Sequence, residues 1–507
     1  MTNQRKTGAI LSYILLAVSN IVGIIYTPFM IRAMGQAEFG LYSMIASTVG
    51  YLTVLDFGIG TTSVRYIAKY RAKHSKEAEH NLNGMLLVVD VVFGAIVVCA
   101  GVLLFANIGG LFQATLSVEE IYRARIMTLL LVFNIAVTFS LGIFRSIITA
   151  YERFVFLKTV NIIRVVLMPC IMIPLLLAGH GAIAMVTVTT VLNIISITIN
   201  VVYCFFTLRI KFVFHKFDAG LLKQISKYSF FVFLGTIVDQ IYWGSGQLIL
   251  GVFSGTIAVA IYAIAIQFTR YFMNFSTAIN GVFLPKITQM VARDASDKDV
   301  SDMFIKVGRI QYIVVGLIMS GFLLYGRRFI SLWAGYGFIM AYYIAIIIMI
   351  PLSIPLIQNM GIVVLQAKNK HKVRSIIYLC IAILNIIISL GLSRFLGAFG
   401  PAISTAISLF IGNIVIINTY YYKKIHIDIP KFWKNIGKMT IPIGISLLIG
   451  MIGNLLVSEI SIIILVLKVF FYTIIYGLCM WLIGMNASEK NLFESILLKL
   501  KWKDSNN

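Results

Sequence analysis

The sequence predicts an all-α polytopic membrane protein, and three observations carry that prediction. The 507 residues are 60% hydrophobic and only 12% charged, with a mean hydropathy of +0.94. A water-soluble chain of this size has no means of burying so much apolar surface. The apolar runs are continuous for about 20 residues or more, where a membrane β-barrel would alternate. Finally, Lys and Arg gather in every second connecting segment, which is the bias that orients membrane helices.

Taken in order, run length places about fourteen spans, at 8–31, 39–64, 84–106, 122–148, 154–178, 181–207, 228–252, 256–283, 305–326, 338–366, 373–396, 400–421, 436–457 and 460–485. A short basic start, Arg5 and Lys6, precedes the first run. At about 24 residues that run is too long for a signal-peptide core and reads as a retained span. With the N-terminus inside, about 32 of the 42 Lys and Arg fall in cytoplasmic segments. The outer loops hold Arg32, Arg123, Arg125, Arg327, Arg328 and Arg394, and four more basic residues (Arg145, Arg164, Arg270, Lys468) fall within spans. Both termini are therefore expected in the cytoplasm. The net charge of +23 reads as this bias and not as a nucleic-acid footprint. The longest outer loop, 107–121, is about 15 residues, so no soluble domain is expected and function belongs to the membrane region.

An internal repeat sets the domain organisation. At an offset of 220, Gly35/Gly255, Tyr42/Tyr262, Tyr51/Tyr271 and Ala72/Ala292 coincide; later the offset drifts, with Ala150/Ala367 and Gly181/Gly400 still matching. Spans 7–12 read as a second copy of spans 1–6. An even number of spans per copy gives both the same sense, hence two pseudo-symmetric six-helix lobes with a central cavity between them. The expected division is 1–212 and 213–425 for the lobes, 426–485 for two added helices, and 486–507 for an amphipathic cytoplasmic tail. That tail has Leu492, Phe493, Ile496, Leu497 and Leu500 at helical spacing.

Charges inside spans are costly and mark function or helix locking. Asp56 lies mid-span, with Arg65 nine residues on. An unbroken helix puts the two on opposite faces, and Gly58 and Gly60 are placed to bend it. Arg164 lies about ten residues into span 5 with Asn161 on its face. In span 8 Gln267, Arg270, Asn274 and Thr277 form one polar stripe; in span 6 Thr189, Asn193, Ser196 and Asn200 form another. Asp239 stands in span 7. Arg145, Asp90 and Arg65 are near enough to span ends for snorkelling to explain them. The deeper guanidinium groups suit a phosphate or pyrophosphate, since their fork matches its oxygens. Arg164, Arg270, Asn161, Gln267 and Asn274 are the candidate substrate contacts. Asp56 and Asp239 are the candidate sites of coupling to H⁺ or Na⁺, and Arg65 and Arg145 are secondary candidates.

Several classes drop out. The chain has no G-x-x-x-x-G-K-[ST], H-E-x-x-H or G-x-S-x-G. The run GIGTTS has no strand before it, which removes a dinucleotide reading. The five cysteines sit in apolar runs without a C-x-x-C pair, and the six histidines are scattered and read as loop-borne, so no metal or cofactor is expected.

PFMIRAMGQAEFGLYS at Pro28–Ser43, VLDFGIG at Val54–Gly60, RYIAKYRA at Arg65–Ala72 and LQAKNKHKVRS at Leu365–Ser375 carry a family resemblance. The chain resembles the bacterial polysaccharide and O-antigen flippases of the multidrug/oligosaccharidyl-lipid/polysaccharide exporter superfamily. The resemblance implies alternating access between two lobes in the cytoplasmic (inner) membrane. It implies an oligosaccharide on undecaprenyl pyrophosphate as substrate, carried for surface polysaccharide (O-antigen, capsule or exopolysaccharide) synthesis. It also implies coupling to H⁺ or Na⁺, and partners such as a polysaccharide polymerase and a chain-length regulator. The second copy departs from the first, with Ser276 and Pro285 in place of Asp56 and Arg65, so the lobes are not chemically equivalent. A drug or cation exporter of the same superfamily would want acids, not arginines, in its lumen. A membrane polysaccharide polymerase or ligase would want a large outer loop, and a scaffold would not need buried charges in both repeats.

Overall fold

The computed structural model describes residues 2–73, 75–214, 218–293, 295–368, 370–456 and 461–494. The helices are α1 (Thr2–Met34), α2 (Gln36–Gly50), α3 (Ile59–Ala72), α4 (Lys76–Phe112), α5 (Val118–Ser140), α6 (Gly142–Ala150), α7 (Phe154–Leu177), α8 (Ala182–Val202) and α9 (Ala219–Phe253). They continue with α10 (Gly255–Ala292), α11 (Asp297–Trp333), α12 (Met340–Ile357), α13 (Met360–Ala367), α14 (His371–Leu396), α15 (Phe399–Leu409), α16 (Asn418–Tyr420), α17 (Ile429–Leu456) and α18 (Ile462–Cys479). There is no strand among the described residues. With no water in the bilayer core, intrasegment hydrogen bonding leaves helices as the solution for such a sequence. Among the described residues, thirteen helical runs are long and apolar enough to cross a membrane. The remaining expected span, 228–252, falls within α9.

Two expectations shift at the ends of elements. The outer loop expected at 107–121 shrinks to the few residues between Phe112 and Val118. A reciprocal capping box is the cause: the Glu120 amide donates to Ser117 Oγ (3.2 Å) and the Ser117 amide donates to Glu120 Oε2 (2.9 Å). His80, expected in a loop, lies inside α4. His74 and His215, and the tail positions Ile496, Leu497 and Leu500, lie outside the described residues. Phe493, from the same tail stripe, packs on the cluster around Tyr472 and Tyr476.

By contacts the chain divides into two compact units, residues 1–263 with 382–401 and residues 264–381 with 402–507; α10, α14 and α15 contribute to both. In the first unit α4 packs on α5, α1 on α7, α5 on α8, α3 on α6, and α2 on α5 and α9. Membrane helices lack a hydrophobic drive to associate, so close packing does the work. Gly94 and Gly101, two turns apart on α4, make it possible here. A Cβ on Gly101 would lie 2.2 Å from Val132, and one on Gly94 would lie 2.0 Å from Ser140 Oγ.

The second unit centres on α11, which packs on α12, α17 and α18. There Tyr476 donates to the Ile313 carbonyl (2.8 Å). Arg309 reaches Glu489 through Nε (2.5 Å) and Nη2 (2.8 Å), and its Nη2 also donates to the Gly484 carbonyl (2.8 Å). Both side chains are almost wholly buried, at 7% and 1% exposure.

The repeat is written in backbone geometry. Gly35, just before α2, and Gly255, the first residue of α10, have φ of 80° and 77°, Gly179 and Gly397 have φ of 86° and 50°, and Arg209 and His426 have φ of 52° and 63°. The α5/α6 break at Leu141 (φ −115°, ψ 15°) matches the α12/α13 break at Gln358 (φ −104°, ψ 11°). Helices α4 and α11 are both 37 residues long. One pair differs. The expected span 39–64 is interrupted by a 3₁₀ turn at Tyr51–Asp56, closed by left-handed Phe57 (φ 48°) and Gly58 (φ 69°), whereas α10 runs unbroken for 38 residues.

Candidate functional site

Two neighbouring cavities of about 490 and 440 Å³ lie within the first unit, among helices that read as membrane spans. Thr138, Phe139, Arg164 and Asn193 line both. Arg164, on α7, therefore stands at their seam. Its Nη1 donates to Asn193 Oδ1 (2.8 Å), and Asn193 Nδ2 donates to Asn134 Oδ1 (2.6 Å) and Thr138 Oγ1 (2.8 Å). This polar chain across α5, α7 and α8 fixes one arm of the guanidinium, while the side chain still lines the cavities. The fixed fork is pre-organised to receive an anion.

The smaller cavity also takes in Asp56, Asp90, Arg145, Ser146, Thr149, Asn161, Ser196 and Asn200. Asn161 sits one turn before Arg164, as its spacing requires, with its Nδ2 donating to the Leu157 carbonyl (2.8 Å). The stripe expected on span 6 faces this space: Thr189 and Asn193 line the larger cavity, and Asn193, Ser196 and Asn200 the smaller. A wall of amides and hydroxyls is the setting in which charges persist at membrane depth.

The two acids are held by helix breaks. The first amides of a helix have no partner within it. Asp56 is hydrogen-bonded to the backbone N–H of Gly60, in the first turn of α3. Asp90, on α4 and only 9% exposed, is hydrogen-bonded to the backbone N–H of Ile143, in the first turn of α6. Part of their role is thus to cap helix starts. The second unit fills the equivalent places with neutral groups. Ser276, counterpart of Asp56, donates to the Leu356 carbonyl (2.9 Å). Gln311, counterpart of Asp90 on the equal-length α11, sets its side-chain amide against the Leu356 and Ile357 carbonyls, and with the amide nitrogen assigned to that side it donates to them at 3.1 and 3.0 Å.

The other sequence candidates lie elsewhere. Arg65, on α3, is exposed and is not among the residues lining either cavity, and the same holds for Asp239 on α9. Arg270, Gln267 and Asn274 share α10; Arg270 is exposed, and Gln267 Nε2 donates to Tyr271 Oη (2.7 Å). These three belong to the second unit.

A family model described as polysaccharide biosynthesis protein matches residues 6–291, more than half of the chain. The chain belongs to that polysaccharide biosynthesis protein family. The matched stretch contains every residue of the two cavities. Among solved structures, this family member is similar to the lipid II flippase MurJ in an inward closed conformation. The TM-score is 0.74 and the identity 17%, covering 93% of this chain and 98% of that one. It is also similar to an inward-facing multidrug resistance MATE family transporter of the MOP superfamily, with TM-score 0.60, identity 14%, and 83% and 95% coverage. A third is a MOP superfamily transporter from Pyrococcus furiosus described as having a binding pocket of reverse polarity, with TM-score 0.55, identity 13%, and 83% and 93% coverage. These likenesses give the fold, a MurJ/MATE-type transporter fold of about fourteen membrane helices. No curated protein sequence matches.

For this polysaccharide biosynthesis protein, sequence reasoning underweighted four lining residues. Asp90 and Arg145 were explicable as span-end charges, yet both line the smaller cavity. Asn134 and Thr138 carried an available signal, a polar pair at i and i+4 in an apolar span.

Proposed function

We propose that the protein is a flippase for a lipid-linked oligosaccharide. It would carry repeat units on undecaprenyl pyrophosphate across the bacterial cytoplasmic (inner) membrane for surface polysaccharide synthesis. The observation that carries this reading is the tethered Arg164 guanidinium in a polar cavity among membrane helices, with Arg145 in the same wall. The oxygens of a diphosphate match the geometry of such a fork. The family match and the likeness to a lipid II flippase support a lipid-linked substrate. In the mechanism, Arg164, Asn161 and Arg145 hold the diphosphate in the lobe 1–212, and Arg270, Gln267 and Asn274 engage it from the lobe 213–425 as access alternates. Asp56, joined by Asp90, exchanges H⁺ or Na⁺, with Asp239 and Arg65 as outlying contributors. Both termini are cytoplasmic, and a polymerase and a chain-length regulator receive the product.

One observation favours a second reading. Two acids in one cavity, Asp56 and Asp90, are also what a cation or drug exporter would use. Purified protein in proteoliposomes separates the two. The flippase reading expects inward-to-outward movement of undecaprenyl-pyrophosphate oligosaccharide, slowed at least tenfold in Arg164→Ala, a loss on the scale of one charge-assisted contact. Export of an organic cation with no movement of the lipid would overturn it.

A further inference from the structure

A third cavity of the first unit, about 590 Å³, is not used by the site above. It is a groove between α3, α4 and α9, walled by Phe57, Ile59, Val88, Val92, Phe93 and Phe230, among others. Its polar lining groups are few, and the buried one is already engaged: Ser229 Oγ donates to Thr62 Oγ1 (2.8 Å), which donates to the Gly58 carbonyl (3.0 Å). Val88, Val92, Ile96 and Phe230 are exposed. Val88, Val92 and Ile96 fall mid-way along a membrane span, where the surrounding medium is hydrocarbon.

This groove and the arginine-bearing cavity share a wall. Phe93 lines both. On the interrupted helix the lining residues interleave, with Asp56 and Gly60 in the polar cavity and Phe57 and Ile59 in the groove. The partition is aromatic: the Phe57 ring lies 5.2 Å from Phe93 and 4.4 Å from Phe233, centroid to centroid. The partition also rests on the helix break, where Phe57 holds a left-handed conformation that L-residues rarely adopt. A polar chamber that presents the Arg164 and Arg145 guanidinium groups, divided from a dry, lipid-facing groove by two phenylalanines, matches one kind of molecule. That molecule has an anionic head and a long aliphatic tail.

We infer that the α3/α4/α9 groove holds the first isoprene units of the substrate's polyisoprenoid tail, with the Phe57–Phe93 pair as the partition between tail and diphosphate. The assignment rests on the flippase reading. The tail reaches the groove from hydrocarbon and not from water, so the groove contributes shape-matched packing contacts and a fixed direction for the tail, not a hydrophobic transfer energy. The groove thereby selects long-chain polyprenyl diphosphates over soluble nucleotide diphosphates, which carry the same head.

The test uses the full-length protein in phospholipid nanodiscs and two probes: undecaprenyl pyrophosphate with a diazirine near its head-proximal isoprenes, and inorganic pyrophosphate. Val92→Trp, and independently Ile96→Trp, fill the groove from its lipid side. The expected result is photolabelling on α4 or α9 and at least a tenfold loss of undecaprenyl pyrophosphate affinity in both variants. A tenfold loss corresponds to about 1.4 kcal/mol of packing contacts denied to the tail by the indole. Inorganic pyrophosphate binding is expected unchanged, which also reports that the variants are folded. Equal loss of both probes, loss of neither, or equal labelling by a diazirine phospholipid would overturn the assignment while leaving the flippase reading standing. If the wild-type protein binds neither probe, the flippase reading falls and this inference falls with it.

Discussion

Arg164→Ala is the most informative single substitution. It removes a guanidinium that lines two cavities and leaves Asn193 Oδ1 without its 2.8 Å donor. The stability cost is small, because Asn193 keeps its bonds to Asn134 and Thr138 and its freed oxygen faces a cavity wide enough for water. About 1 kcal/mol is expected. The functional cost is larger. A charged contact to a diphosphate is worth about 1.5–3 kcal/mol, or roughly 10- to 150-fold in affinity. Arg164→Lys keeps the charge and loses the fork, so it is expected to fall between, at roughly 3- to 10-fold. Asn193→Ala leaves the arginine in place and untethers it, for a loss of about fivefold. The assay is the initial rate of lipid-linked oligosaccharide movement in proteoliposomes, beside the melting temperature of the same preparation. Wild-type rates in Arg164→Ala, or equal defects in the Lys and Ala variants, would refute the role of the fork.

Other outcomes follow from the same geometry. Asp90→Asn keeps an acceptor for the Ile143 amide and removes the charge. It is expected to fold normally yet slow gradient-driven transport at least tenfold, measured with and without an imposed ion gradient; Asp56→Asn should behave alike, and normal coupling in both would exclude the acid pair. Arg309→Met alone strands Glu489 in the interior and should cost about 3–5 kcal/mol, read as a large drop in melting temperature. The double variant Arg309→Met/Glu489→Leu should recover most of that loss, and failure to recover would mean the pair does more than satisfy itself. Gly101→Leu, driven against Val132, is expected to separate α4 from α5 and abolish the folded peak in size-exclusion chromatography.

Much of the fold was legible because its causes are local. Run length and Lys/Arg placement need no tertiary information, and the repeat survives as matched glycines with matched positive φ at Gly35 and Gly255. The interrupted helix was legible in part. Gly58 and Gly60 announced a bend, but the left-handed residues are Phe57 and Gly58. Site residues on one helix face, Asn161 with Arg164 and Thr189 through Asn200, followed from periodicity alone. Asp90 did not, because its partner amide belongs to Ile143, freed by a helix break more than fifty residues away. Arg145 was equally consistent with a span end, and only the folded chain shows it lining the smaller cavity. The apolar groove had no sequence signature, since lipid-facing and groove-facing valines are the same residue type.

The neutral stand-ins Ser276 and Gln311 have a consequence for energetics. A doubled architecture would ordinarily offer two places for an ion to load, one per half. Here the later half has traded ionisable groups for uncharged ones that are already satisfied by carbonyls at a helix break. If Asp56 and Asp90 load the coupling ion as proposed, the doubled architecture carries that acid pair in one half only, and the counterpart positions Ser276 and Gln311 offer no exchangeable charge.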